Sequence, residues 1–228
     1  MIIDAAPLLH PMLFSFLISI ITRIVVRRTT TSTALADLPT RASSALLSSL
    51  MCASLLTNDS APPALAIFGA YLLSDAVWSL SVGPPLRPDM WAHHAAGALL
   101  LATAAAAWQS HPGPINNAAR ALLWMESTTP FLNASWFLCH YGASFAALCC
   151  DAIVLALWPW ARLAGPSKAI AAVWGAFAGA GAPLAELAQL PVVVLLYLVA
   201  TLLLAGLQVV WGAVLAKRFR ARVIALVK

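Results

Sequence analysis

Charged side chains are what this sequence most lacks. Asp, Glu, Lys and Arg make up 9% of its 228 residues, whereas soluble domains carry about 25%. Hydrophobic residues make up 62%, and the mean hydropathy is +0.88. The deficit extends along the whole chain, which excludes a soluble domain of any size. The composition predicts an all-α protein that crosses a membrane several times.

Alternation of polar and apolar residues is also missing, which excludes a transmembrane sheet. The apolar runs instead reach about 17–25 residues, the length that crosses the hydrocarbon as a helix. Short polar breaks separate them. The pattern predicts a transmembrane helical bundle or barrel with about seven spans, at residues 9–27, 42–57, 64–82, 90–108, 117–140, 143–163 and 190–216.

Metal-ligand patterns are missing as well. The cysteines (Cys52, Cys139, Cys149 and Cys150) lie in or beside apolar runs without metal-ligand spacing, as expected of small packing residues. Histidines at the repeated short spacing of desaturase-type boxes do not occur. We therefore predict no metal site and no resident cofactor.

The basic residues, which give a net charge of +5, lie mainly at the ends of apolar runs. RIVVRR, with Arg23, Arg27 and Arg28, ends the first run, and KRFRARVIALVK ends the chain. Such a distribution sets the orientation of spans in a membrane, and a basic tail contacts anionic headgroups. It argues against nucleic acid as a partner.

The Ala- and Gly-rich segment 168–188 admits three interpretations: an eighth span, a re-entrant hairpin or an interfacial helix. The N-terminus lacks the basic region of a cleavable signal, so the first run is predicted to remain as a span that starts outside the cytosol. Eight spans would then place the basic tail outside, against the positive-inside rule. We predict seven spans, a cytosolic C-terminus, and 168–188 at or dipping into the outer surface. The cytosolic side then receives Arg27, Arg28, Arg41, Arg87 and the basic tail, and the outer side receives Arg120, Arg162 and Lys168.

Polar residues inside the predicted spans are the candidates for function, because such groups are costly in lipid and usually face a cavity or the bundle interior. In LLWMESTTPFLNASWF, the residues Glu126, Thr129, Asn133 and Trp136 share one helical face. Pro130 cannot donate a backbone hydrogen bond, which leaves the carbonyl of Glu126 free and kinks the helix. The segment predicts a pocket beside Glu126.

A second stripe comprises Tyr71, Asp75 and Trp78, spaced i, i+4 and i+7. His93 and His94 open the fourth span, and their side chains point about 100° apart, so one faces the interior better than the other. Asp151 is a further acid inside a span, expected to pair with a neighbouring helix. The candidates for catalysis are His93, His94, Glu126 and Asp75, and those for lipid binding are Tyr71, Trp78, Thr129, Pro130, Asn133 and Trp136.

Two interpretations of these polar residues stay open. A buried imidazole acts as base or nucleophile when a carboxylate orients it, which suits acyl transfer through an acyl-imidazole or attack of an alcohol or amine on a thioester. Alternatively, polar side chains in spans hydrogen-bond across helices and serve only the packing.

The order of these motifs resembles the TLC-domain family of membrane proteins, which includes the ceramide synthases. TRASSALLSSL with Arg41 opens the domain, YLLSD follows with Tyr71 and Asp75, and the pair His93 and His94 comes next. MESTTPFLNASWF is similar to the family's Glu-x-Ser-Thr-Pro-Phe-x-Asn-x-Arg-Trp signature. WPWARLAGP and LQVVWGAVLAKRF match the last two spans more loosely.

The sequence also departs from that family. Ser135 replaces the Arg of the signature, and HHAAGALLLATAAAA lacks the acidic residues that follow the histidine pair in ceramide synthases. The closest subgroup is that of small TLC-domain-containing proteins. The resemblance implies an N-terminal helix and cytosolic loop (1–40), a TLC-like domain with a six-helix core (41–220) and a basic tail (221–228).

The resemblance implies an endoplasmic-reticulum or other endomembrane protein that acts in lipid metabolism, sensing or transport. We expect a protein that binds or processes lipids or acyl chains in an intramembrane polar pocket and acts in membrane lipid homeostasis. One alternative is an acyltransferase that uses the histidine pair with acyl-CoA as donor. The other is a structural or trafficking adaptor, which predicts filled packing. The oligomeric state stays open.

Overall fold

The computed structural model describes residues 6–29, 37–58, 61–81, 88–108, 112–177 and 191–227, and these ranges contain helices and turns but no strand. The α-helices are α1 (Ala6–Thr29), α2 (Leu38–Thr57), α3 (Pro62–Ser81), α4 (Pro88–Trp108), α5 (Pro112–Leu123), α6 (Thr129–His140), α7 (Ser144–Trp158), α8 (Ala164–Phe177) and α9 (Val192–Val227). A 3-10 helix (Trp124–Thr128) joins α5 to α6, and a π-helix (Pro159–Leu163) joins α7 to α8. The predicted all-α fold is confirmed.

Because those two joins are themselves helical, the described chain forms seven continuous helical segments. Three helices, within His10–Arg28, Ser144–Phe177 and Val192–Val227, are long and apolar enough to cross a membrane. Large apolar side chains such as Phe14, Leu203 and Val210 are exposed on the outside of the bundle. That arrangement is expected where lipid, rather than water, surrounds a protein.

The segment predicted to lie at the outer surface, 168–188, begins inside a long helix. Residues 168–177 continue α8, and the buried side chains of Ala169 and Val173 pack with Ile115 of α5. The first half of the segment therefore extends the sixth helical segment and is not a separate surface element. The apparent break before it contains Pro166, which lies in the first turn of α8, where proline is tolerated. Residues 178–190, with Glu186, lie outside the described ranges, as does Arg87 of the topology argument.

Several of the most extensive helix contacts join helices that are not neighbours in the sequence. α1 contacts α2 and α3, α5 contacts α8, α6 contacts α7, and α4 runs along the C-terminal helix α9. Gly142 (φ +78°) lies in the tight turn between α6 and α7 and adopts a backbone conformation that suits glycine. The pairing of α4 with α9 brings the histidines of α4 towards the polar residues of α6 and α7.

Candidate functional site

A cavity of about 380 Å³ lies among α2, α3, α4, α6, α7 and α9. It extends from Asp37, which is exposed, to Glu126, which is buried. Its walls combine polar groups with apolar side chains. Six of the predicted site residues line it, namely Tyr71, Asp75, His93, Glu126, Thr129 and Asn133.

Asp75, which lines the cavity, is the centre of a buried ion-pair network. Nη2 of Arg23, on α1, pairs with Oδ1 of Asp75, and both side chains are almost fully buried. Nε of Arg23 also donates to Oγ of Ser43 (2.8 Å), and Nη1 donates to the carbonyl oxygen of Ser74 (3.2 Å). Arg23 is thus held by α2 and α3, and it compensates the charge of Asp75.

His94 completes this network from the other side of the carboxylate. Its Nε2 lies 3.1 Å from Oδ2 of Asp75, and its Nδ1 lies 2.8 Å from the carbonyl oxygen of Met90. A carbonyl oxygen can only accept, so Nδ1 donates to Met90. The contact between Nε2 and Asp75 therefore needs one further proton, shared between ring and carboxylate. Both ring nitrogens of His94 are occupied, and its side chain lies outside the cavity lining.

His93 has the opposite environment. Its side chain lines the cavity although the residue is only 4% exposed. Its Nδ1 has no hydrogen-bond partner among the described residues. The ring packs between the rings of His94 and Trp211, at centroid distances of 5.6 and 5.5 Å. The two adjacent histidines therefore have different environments: both ring nitrogens of His94 are occupied, whereas His93 lines the cavity and its Nδ1 has no partner among the described residues.

Glu126 lies where the backbone hydrogen bonding changes from the α-helical to the 3-10 pattern. It is part of the 3-10 helix between α5 and α6, and the N–H of Thr129 donates to its carbonyl oxygen. The prediction that Pro130 leaves this carbonyl free is therefore wrong, because 3-10 pairing supplies a donor one residue earlier. Pro130 instead occupies the first turn of α6. The Oγ1 atom of Thr129 donates to Oε2 of Glu126 at 2.6 Å.

Arg162 faces Glu126 from the π-helix. Its Nη2 lies 4.0 Å from Oε2 of Glu126, and its guanidinium donates to Oγ1 of Thr128 (2.7 Å), Oγ1 of Thr129 (2.7 Å) and Oε1 of Gln208 (3.2 Å). A π-turn inside an α-helix is uncommon and often occurs at functional sites. Here it places a buried cation at the inner end of the cavity.

Three predicted lipid-binding residues do not line the cavity, namely Trp78, Pro130 and Trp136. Trp136 lies under the guanidinium of Arg41, with Cζ 4.5 Å from the ring centroid. Trp78 packs against Arg23 and Arg27 of α1, at 5.9 and 5.7 Å from their Cζ atoms. Their role in lipid binding stays a prediction.

Asp151 forms a second buried cluster at the end of the bundle that holds the basic tail. Its carboxylate pairs with Nη2 of Arg218 (2.6 Å) and Nη1 of Arg222 (2.5 Å), both on α9, and accepts from Oγ of Ser135 (2.6 Å). The expected pairing with a neighbouring helix is confirmed. Ser135, which replaces the Arg of the family signature, also accepts from Arg222, so α9 supplies cations here.

Arg23 and Arg162 were not predicted as site residues, because in the sequence both lie at the ends of apolar runs, where basic residues set the topology. Both are buried, with 0% and 3% exposure. One signal was present for Arg23: Arg27 and Arg28 already mark the end of that helix, one turn further on. Among the described residues, no cluster of three or more His, Cys, Asp or Glu could hold a metal ion.

Comparison with known proteins agrees with the motif order. A family model described as a TLC domain matches residues 12–217. The match starts within α1, and the domain boundary at residue 41 stays a prediction. No curated protein matches the chain, and no solved structure matches it. The chain therefore belongs to the TLC-domain family and is an integral membrane protein involved in lipid metabolism or sensing.

Proposed function

We propose that the protein binds a lipid or acyl chain in the cavity and acts in membrane lipid homeostasis. The observation that carries the proposal is the cavity itself, whose volume of about 380 Å³ falls within the range of about 300–1,000 Å³ for ligand pockets. Its lining is mixed: Leu132, Trp158 and Leu215 suit a hydrocarbon chain, whereas His93 and Glu126 suit a polar head. An adaptor with filled packing fits this cavity poorly.

The entrance to the cavity suits a ligand from the membrane. Val214 lines the cavity and is also 61% exposed on the outer face of α9. Asp37 and Arg218 lie near the end of the bundle that carries the basic tail. The proposed location is the endoplasmic reticulum or another endomembrane, with that basic end in the cytosol in keeping with the positive-inside rule.

The intact mass of the detergent-purified protein tests the proposal. We expect a lipid-sized adduct in native spectra that is lost on denaturation, and we expect less of it in His93→Ala. His10→Ala is the matched control, because His10 is exposed on α1. Bare protein in every native spectrum, with the fold intact, would refute lipid binding.

An acyltransferase is the second candidate, favoured by the unpartnered nitrogen of His93. In that reaction a ring nitrogen attacks the carbonyl carbon of an acyl thioester such as acyl-CoA. A C–N bond forms, the C–S bond breaks, and the thiol leaves with the proton lost from the ring. A lipid alcohol or amine then attacks the acyl carbon. A new C–O or C–N bond to the lipid forms, the C–N bond to the imidazole breaks, and the proton of the alcohol or amine returns to the imidazole. A mass adduct on His93 that survives denaturation would select this function over binding alone.

A further inference from the structure

We infer that Arg23, on the first helix, is a positioning residue of the site. It fixes the carboxylate of Asp75, and that carboxylate holds His94 away from the ligand. Of the two imidazoles, His93 is then the one that contacts the ligand. The inference rests on the proposed function and assigns unequal roles to the two histidines. It also means that α1 contributes a residue to the site.

Arg23 is itself immobilised by its neighbours. Its guanidinium donates to Ser43 on α2 and to the backbone of Ser74 on α3. The ring of Trp78 lies 5.9 Å from its Cζ, a distance at which a cation and an aromatic face attract. Oγ of Ser19, one turn earlier on α1, donates to Oγ of Ser74 at 2.7 Å and fixes the register of the two helices.

Arg23 and His94 share the carboxylate of Asp75. Arg23 pairs with Oδ1 of Asp75, which leaves Oδ2 directed at Nε2 of His94, 3.1 Å away. A carboxylate can rotate about its Cβ–Cγ bond unless both oxygens are held. Removal of Arg23 would release Oδ1 and leave a buried carboxylate without its fixed cation. The carboxylate could then turn about its Cβ–Cγ bond, and the geometry that holds His94 would no longer be fixed.

The imidazole rings of His93 and His94 differ in their hydrogen bonding. His94 donates to the carbonyl of Met90 and contacts Asp75 with its other nitrogen. His93 has an unpartnered Nδ1 and lines the cavity. Reagents that acylate unprotonated, accessible imidazole nitrogen should therefore distinguish two adjacent residues of the same peptide.

Diethyl pyrocarbonate supplies the test, with modified residues located by peptide mass spectrometry on the full-length protein in detergent. In the delipidated wild type we expect extensive modification of His93 and only a trace of modification of His94. In Arg23→Gln we expect His94 to become modified, at least fivefold above its wild-type level. Arg23→Lys, which keeps the cation, should restore most of the protection.

Arg222→Gln is the matched control, because Arg222 pairs with Asp151, a buried carboxylate outside the His94 network. It removes an arginine from an equally buried carboxylate without touching Asp75, although the Arg222 side chain is 19% exposed and Arg218 still pairs with Asp151. Equal modification of His94 in Arg23→Gln and Arg222→Gln would mean general loosening and would overturn the inference. Unchanged protection of His94 in Arg23→Gln would overturn it as well.

Lipid binding is scored separately in the same preparations. Protection of His93 by added lipid supports the proposed function whatever happens at His94. A different result would separate the two proposals: His93 reacts equally with and without lipid, while Arg23→Gln makes His94 reactive. The proposed function then fails, but the positioning role of Arg23 stands.

Discussion

Gly212 on α9 lies directly against the indole of Trp158 on α7. A Cβ atom at position 212 would lie 2.7 Å from Nε1 of Trp158, with two further ring atoms within 3.3 Å. Trp158 also lines the cavity and packs under the guanidinium of Arg162, with Cζ 5.4 Å from its ring centroid. Because Gly212 has no side chain, the indole of Trp158 can lie in this position and form part of the cavity wall.

We predict that Gly212→Ala displaces Trp158 towards the cavity and reduces lipid retention, while the helical content is unchanged. A rigid indole has no flexible end that could yield, and overpacking of this kind costs about 1–3 kcal/mol. Native mass spectrometry measures the retained lipid. Gly206→Ala is the control on the same helix, since nothing lies within 4 Å of its Cβ position. Undiminished lipid retention in Gly212→Ala would contradict this role of Trp158.

Gly165 provides a prediction about the fold rather than the cavity. Its Cβ position lies 2.7 Å from the backbone carbonyl oxygen of Ala121, where α8 meets α5. Backbone cannot move aside as a side chain can, so Gly165→Ala should force the helices apart and cost about 1–3 kcal/mol. We expect a lower midpoint of thermal unfolding in detergent. Gly175→Ala, on the same helix with no atom within 4 Å of its Cβ position, should stay near wild type or become slightly more stable.

The two histidines should also differ in what they contribute to stability. His94→Ala removes the contacts to Met90 and Asp75 and leaves a buried carboxylate oxygen unsatisfied, a loss of about 1–3 kcal/mol. His93 makes no hydrogen bond among the described residues, so His93→Ala should cost clearly less. Thermal unfolding of both variants in one detergent measures the difference. A larger loss in His93→Ala would contradict the assigned roles.

The sequence was sufficient for the fold because hydrophobic length and motif order are local properties. The apolar runs predicted the helices, and YLLSD, the histidine pair and MESTTPFLN predicted polar groups that the fold brings to one cavity. Asp75, His93 and Glu126 share that cavity although they lie on three separate segments. Their residue types alone, which are costly in lipid, gave the signal.

The partners of those groups could not be predicted, because they depend on how helices pack. Arg23 and Arg162 were counted as topology signals, yet each faces a buried carboxylate on another helix. Likewise, the free carbonyl expected at Glu126 assumed ideal α-helical pairing, whereas the chain forms a 3-10 turn there. Periodicity describes one helix at a time, and pairing between helices requires their relative positions.

Arg162 and Glu126 should contribute very unequally to stability although they face each other. Arg162→Met would leave Thr128, Gln208 and the carboxylate of Glu126 without their buried donor, and loss of one partner of a buried pair costs about 3–5 kcal/mol. Glu126→Gln keeps an oxygen that can accept from Thr129, and the guanidinium keeps its three hydrogen bonds. We therefore expect a much smaller loss from that change.

A double-mutant cycle separates the ion pair from the rest of the network. If the buried charge of Glu126 accounts for much of the damage, Arg162→Met should cost less in the Glu126→Gln background than in wild type. Residues in one network usually show coupling of about 0.5–3 kcal/mol, and SDS titration of the four proteins in mixed micelles can resolve it. Additive losses would mean that Arg162 stabilises the bundle through its hydrogen bonds to Thr128, Thr129 and Gln208, and not through the carboxylate of Glu126, which lies 4.0 Å from its Nη2.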